Sequence, residues 1–314
     1  MNGNKLQPYK RHKIMKQNIV TILISLAILL AGCSKDEIAG TTVPNKQTAT
    51  FTVTTDATTR AEVTDLTRYI MEVYEGATAT GTPAEHIEQN NGTFSITLKG
   101  NTAHTILFWA DYGTPDANTA NEYNAADLKA VKLQGTTSFR AATKAAWSGM
   151  LAFTSGDSTP KSKTVTLTYS VAQINFKQSA QPDFIEDNNT LAVSFKQSYS
   201  LNVADRKVAD IASTPTLTEI AITSKTAKEL GTCYVIARGD NSEEKTLMEI
   251  ETTFGKGSGD AAEAAKPLSN VPMRAGFRTN ITGAYSDVCS STVTMDCDET
   301  WETPDYEKTN YKNR

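Results

Sequence analysis

From Thr48 onward the chain alternates apolar and polar residues with a period of two, the repeat of a strand with one buried face. Thr48–Thr55 sets Ala49, Phe51 and Val53 on one side and threonines on the other. The same period recurs over Thr67–Tyr74 (Tyr69, Met71, Val73) and Thr93–Lys99 (Phe94, Ile96, Leu98). Thr105–Ala110 is apolar throughout and reads as a strand buried on both faces, and turn signals separate these segments at Thr80–Pro83 and Asn90–Gly92. Between Asp111 and Gly149 the pattern loosens, with a short helix expected near Ser138–Ala146. Strands resume at Met150–Thr154 and Thr164–Ser170. There Val165, Leu167, Tyr169 and Val171 share one parity while Ile174 and Phe176 take the other; such a phase change exchanges the faces of a strand, so the chain either bulges here or passes into a second sandwich. Further strands are expected around Leu191–Phe195, Tyr199–Val203, Ile220–Ile222, Cys233–Ala237, Leu247–Phe254 and Phe277–Ile281. A polar tail follows, with one short apolar strand at Val293 and Met295. The class is all-β. The expected division is 48–170 and 171–285 for two tandem β-sandwiches, with a tail over 286–314.

What precedes the first strand has a different character. Residues 1–32 carry Lys5, Lys10, Arg11, Lys13 and Lys16 and no acid, then an almost wholly apolar run from Ile19 to Leu30. That is a basic region followed by an apolar core too short for a membrane span of roughly 20 residues, the pattern of a signal peptide; Met15-Lys16-Gln17 already opens a compact leader. Residues 33–47 lack periodicity and read as a tether. Without the leader, 26 basic groups face 35 acidic ones, a formal charge of −9, so a nucleic-acid partner is not expected.

Leu30-Ala31-Gly32-Cys33 resembles the lipobox of bacterial lipoproteins. The resemblance implies cleavage before Cys33, acylation of its thiol, and lipid anchoring in the outer membrane. Several acyl chains on one residue anchor stably, because each buried methylene adds about 0.8 kcal/mol and one chain alone is marginal. Ser34-Lys35-Asp36-Glu37 is similar to the acidic signal that follows the lipidated cysteine in surface-exported lipoproteins of Bacteroidetes.

Along nearly the whole mature chain the order of short stretches resembles the fimbrillin superfamily of Bacteroidales, the type V pilins. The likeness is carried by Cys33, by Thr58-Thr59-Arg60-Ala61 after the first strand, by Ile106–Asp111, Trp147-Ser148-Gly149, Leu167–Phe176, and Arg278–Gly283. It implies two transthyretin-like β-sandwiches and a surface lipoprotein serving as a structural or adhesive pilus subunit. It also implies removal of the first strand by an Arg-directed protease cutting between Arg60 and Ala61, and filling of the vacated groove by a strand from another subunit. A row of unpaired backbone groups is a ready template for such addition. Arg60 also reads as an ordinary turn arginine.

Candidates for other chemistry are sparse. His86 and His104 are the histidines beyond the leader, neither at metal-ligand spacing from other donors, and His104 is expected to be satisfied structurally. Gly255–Gly259 lacks P-loop spacing, and Asp296–Glu299 reads as a solvated acidic cluster. No nucleophile/base pair stands out, so neither an enzyme nor a cofactor or metal is expected. Cys289 and Cys297 are close enough in sequence to bridge a hairpin, which leaves Cys233 unpaired. Asp157-Ser158-Thr159 is similar to an O-glycosylation sequon of Bacteroides, with Ser158 as acceptor, and equally reads as a turn before Pro160. The alternative function is a glycan-binding surface lipoprotein of a polysaccharide-uptake system. It needs an exposed aromatic platform, for which Trp109, Trp147 and Trp301 are the candidates, although core or tail positions are expected for them.

Overall fold

The computed structural model describes residues 45–56, 66–117, 120–134, 145–156, 161–178, 190–195, 198–211, 216–221, 229–239, 245–255, 265–283 and 293–300. All lie in one compact unit, 44–314. They form strands, with no helix among the described residues, so the chain is all-β. The expected helix at Ser138–Ala146 falls largely outside the described residues, and its last two positions run straight into a strand.

The largest sheet has seven strands in the order β3-β2-β5-β8-β9-β1-β4. Its members are β1 (Lys46–Thr55), β2 (Arg68–Glu75), β3 (Glu85–Gln89), β4 (Thr93–Lys99), β5 (Ala103–Asp111), β8 (Trp147–Thr154) and β9 (Ser162–Tyr169). Only Trp147↔Tyr169 and Ser148↔Thr168 join β8 to β9. The sheet folds over at that narrow seam, because rings of β1 and β4 pack across onto β5 and β8: Phe51 lies 6.1 Å from Phe108 and 5.3 Å from Phe153, and Phe94 lies 6.1 Å from Phe108. Strict alternation survives in β4, which has one buried face. By contrast β5, hydrogen-bonded between β2 and β8, is buried on both faces from His104 to Asp111.

Three four-stranded sheets hold the other described strands. One orders β15 (Glu229–Ile236), β10 (Val171–Gln178), β18 (Phe277–Gly283) and β19 (Val293–Thr300); a second orders β14 (Thr216–Ala221), β11 (Thr190–Phe195), β16 (Thr246–Gly255) and β17 (Lys266–Met273). The third orders β13 (Lys207–Ile211), β12 (Ser198–Asn202), β7 (Val131–Leu133) and β6 (Tyr123–Asn124). It joins segments from both halves of the chain, with Val131 opposite Leu201.

The phase change near residue 170 is a change of sheet. β9 pairs with β1 and β8, and β10 pairs with β15 and β18. Ser170 between them is fixed on both sides: its N–H donates to Ala146 O at 2.9 Å, its hydroxyl to Ser148 Oγ at 2.6 Å, and its carbonyl accepts from Ala237 N. Arg206, at the turn between β12 and β13, also reaches this point and donates from Nη2 to Tyr169 O at 2.5 Å.

Five strands escape the apolar alternation: β3, β6, β7, β13 and β17. β3 holds a single apolar residue, Ile87, among Glu85, His86, Glu88 and Gln89, and it sits at a sheet edge where charge discourages further pairing. β17 carries Pro267 and Pro272 and also lies at an edge, where a missing N–H costs least.

Candidate functional site

The site is the place that β1 occupies. Its residues favour an extended chain: β-branched and aromatic side chains alternate, and the threonines on the outer face meet their cross-strand neighbours, Thr48 Oγ1 to Thr97 Oγ1 at 3.3 Å and Thr54 Oγ1 to Thr166 Oγ1 at 3.4 Å. On the inner face Gln47, Ala49, Phe51 and Val53 are buried. The strand is interior to the sheet. It runs antiparallel to β4 from Lys46↔Lys99 to Thr52↔Thr93, and parallel to β9 from Thr50↔Ser162 to Thr55↔Leu167.

Both ends are tied. At the start, the Gly100 N–H donates to Asn45 O, and a Cβ on residue 100 would collide with the Asn45 carbonyl, so the close approach favours glycine. Nearby the Gly156 N–H donates to Gln47 Oε1 at 2.7 Å. At the far end the Asp56 N–H donates to Leu167 O at 2.9 Å. Among the described residues β4 has no strand partner other than β1. Lifting β1 out would therefore uncover Phe94, Phe108 and Phe153 and leave unpaired backbone along β9 and β4, a slot of one strand's width.

On the other side of β5, β8 and β9 from this slot, β2 carries charges that the alternation alone places on an outer face. Instead both faces of β2 are covered. Arg68 is fully buried and grips Asp111 with two bonds, Nε to Oδ1 at 2.8 Å and Nη2 to Oδ2 at 2.5 Å. Asp111 also accepts from Trp109 Nε1 and from the Gly113 N–H, both at 2.8 Å, while Arg68 extends to Tyr123 O and Glu88. Two turns of the pleat along, Glu72 accepts from the Tyr74 hydroxyl at 2.6 Å, from the Leu128 N–H at 3.2 Å, and bonds His86 Nδ1 at 3.0 Å. That bond to Glu72 raises the His86 pKa against the opposing effect of burial, and burial with the Glu72 bond pushes the Tyr74 phenol up. The acceptors of both carboxylates are engaged by the fold, and no group that could hold a metal occurs among the described residues. These are clamps between β2, β5 and the 120–130 segment. The alternation hid them; the remaining signal was a charge at each end of a strand core.

His104 is buried in β5 with Nε2 against Lys99 O at 3.1 Å, and Nδ1 has no hydrogen-bond partner. Cys233 is buried and free, and burial raises its thiol pKa. Trp109 and Trp147 are core residues, in ring contact with Tyr123 and Tyr169 respectively. Cys33, Ser34, Lys35, Asp36, Glu37, Arg60, Ala61, Ser158, Cys289 and Trp301 lie outside the described residues. Cys297 falls in β19, whose backbone pairs with β18, and its side chain is likewise outside them.

A family described as one of unknown function, DUF6562, matches residues 40–312. No curated protein matches the chain. Among solved structures, a candidate cell adhesion protein from Bacteroides uniformis aligns at 13% identity with a TM-score of 0.47, covering 82% of this chain and 99% of that one. A fimbrial assembly protein from Parabacteroides distasonis aligns at 14% and 0.45, covering 80% and 99%, and the fimbrial anchor protein Mfa2 from Porphyromonas gingivalis at 10% and 0.44, covering 81% and 98%. At such identities and scores no residue role and no activity passes from these proteins to this chain.

Proposed function

Given that the chain belongs to the DUF6562 family, we propose that it is a surface lipoprotein of the fimbrillin type, a structural or adhesive subunit that assembles by exchange of its first strand. The observation that carries this reading is the position of β1: interior to its sheet, filled on one face by Ala49, Phe51 and Val53, and followed in sequence by Arg60. As the first of the described strands, β1 becomes a separable peptide once the chain is cut after Arg60. The backbone edges it leaves on β4 and β9 then accept another extended chain.

In this reading Cys33 carries the lipid that holds the subunit at the outer membrane, Ser34–Glu37 direct it outward, and cleavage after Arg60 releases both together with β1. The two sandwiches are the segments before and after Ser170. Partners are other pilus subunits, with a host or bacterial surface ligand for an adhesive member. A glycan-binding role loses its first two platform candidates, since Trp109 and Trp147 are buried.

The test is made on cells. Mass spectrometry of the N-terminus should find chains starting at acylated Cys33 and at Ala61, and Cys33→Ala should shed the protein from membranes. A Cys33→Ala protein that stays membrane-bound refutes the anchor. A folded chain that an arginine-specific protease does not cut at Arg60 refutes the exchange.

A further inference from the structure

Three of the four inward positions of β1 are apolar, and the fourth is not. Gln47 is buried in line with Ala49, Phe51 and Val53, where the alternation calls for an apolar side chain. Its surroundings explain the choice. At the end of β8 the chain turns through Ser155 and Gly156; the Ser155 N–H is taken by Thr102 O at 3.0 Å and the Ser155 hydroxyl by Lys99 O at 2.5 Å. The Gly156 N–H points into the slot and is met by Gln47 Oε1 at 2.7 Å. Four residues on, Phe51 is fully buried edge-on to Phe108 and Phe153. Between them Ala49 is buried, 1% exposed, and a larger side chain there would have to displace packed neighbours.

Building on the strand-exchange reading, we infer that the slot selects its incoming strand by register as well as by apolar pattern. The partner is an extended segment of another polypeptide, parallel to β9, with a hydrogen-bond-acceptor side chain at its first inward position. A small residue stands two places later, an aromatic ring four places later and a β-branched residue six places later. Slippage by one residue turns every side chain to the wrong face. Slippage by two, the shift that an apolar pattern alone tolerates, sets Ala49 against the Gly156 N–H, drives Phe51 into the space of Ala49, and puts Val53 in the aromatic pocket. The amide pin and the ring pocket, four residues apart along the buried run, penalise that shift independently.

The experiment uses the full chain, folded and then nicked after Arg60, with fluorescent peptides of residues 45–56 as probes and anisotropy as readout. The natural peptide should bind. Gln47→Leu, and a peptide of unchanged composition in which Gln47 and Ala49 trade places, should bind at least about tenfold more weakly, which is about 1.4 kcal/mol. Equal binding of the natural, Gln47→Leu and exchanged peptides, with Phe51→Ala still weak, overturns the register pin and leaves strand exchange standing. Failure of every peptide to enter the nicked chain overturns the exchange reading itself.

Discussion

Replacing Phe51 by alanine measures how firmly β1 belongs to its sheet. The ring is fully buried, in edge contact with Phe108 at 6.1 Å and Phe153 at 5.3 Å between centroids. Truncating a buried phenylalanine costs about 3–5 kcal/mol, the transfer energy of the ring together with the cavity left behind. The two ring contacts place this site in the upper part of that range, since each aromatic pair adds about 0.5–1.5 kcal/mol beyond its area. With a urea slope near 2 kcal/mol/M, the midpoint should fall by about 2 M. Trp109 and Trp147, buried in the same sheet, report the transition by fluorescence. Thr52→Ala, on the exposed face of the same strand, is the control and should move the midpoint by no more than about 0.25 M at that slope. A Phe51→Ala shift no larger than the Thr52→Ala shift refutes the placement of β1 inside the sheet, and with it the slot.

Two further perturbations probe the clamps on β2. Arg68→Met leaves Asp111 buried with its strongest partner gone and should cost about 3–5 kcal/mol in chemical denaturation, whereas replacing both residues by apolar ones should cost less than the two single changes added; strict additivity would show that the pair does not interact. His86, bonded to Glu72, has a pKa raised in the folded state, so its contribution is fully present below the unfolded-state value near 6.5 and is lost as pH climbs through the raised folded-state value. Denaturation midpoints should accordingly fall as pH rises above about 6.5, and His86→Gln should flatten that fall; an unchanged pH profile in the variant contradicts the assignment.

The site was partly legible. Threonine-rich alternation at 48–55 marks a half-buried strand in any context, and the run of apolar residues at 105–110 marks an interior one, because each follows from the pleat alone. Gln47 reads as the last residue of the tether, since an isolated amide before an apolar run gives no sign of burial; its pairing with Leu98 makes it part of the strand, and the Gly156 N–H across the slot holds its side chain inside. The charges of β2 were overlooked for a related reason. A strand with Arg68 and Glu72 on its second face looks solvated until the 111–128 segment closes over it and supplies Asp111, Tyr123 O and the Leu128 N–H.

By itself, then, the sequence determined the strand class, the strands with a clear apolar face, and the point near residue 170 where the pattern changes phase, all of which depend on neighbours a few residues apart. The tertiary structure decided which strands lie side by side. It put β1 between β4 and a parallel β9 more than a hundred residues away, turned the phase change into a change of sheet at Ser170, and paired buried charges across β2 and β5. The physical reason is that a strand leaves half its hydrogen-bonding groups and one or both faces to be satisfied from elsewhere, and no local pattern records which distant segment satisfies them.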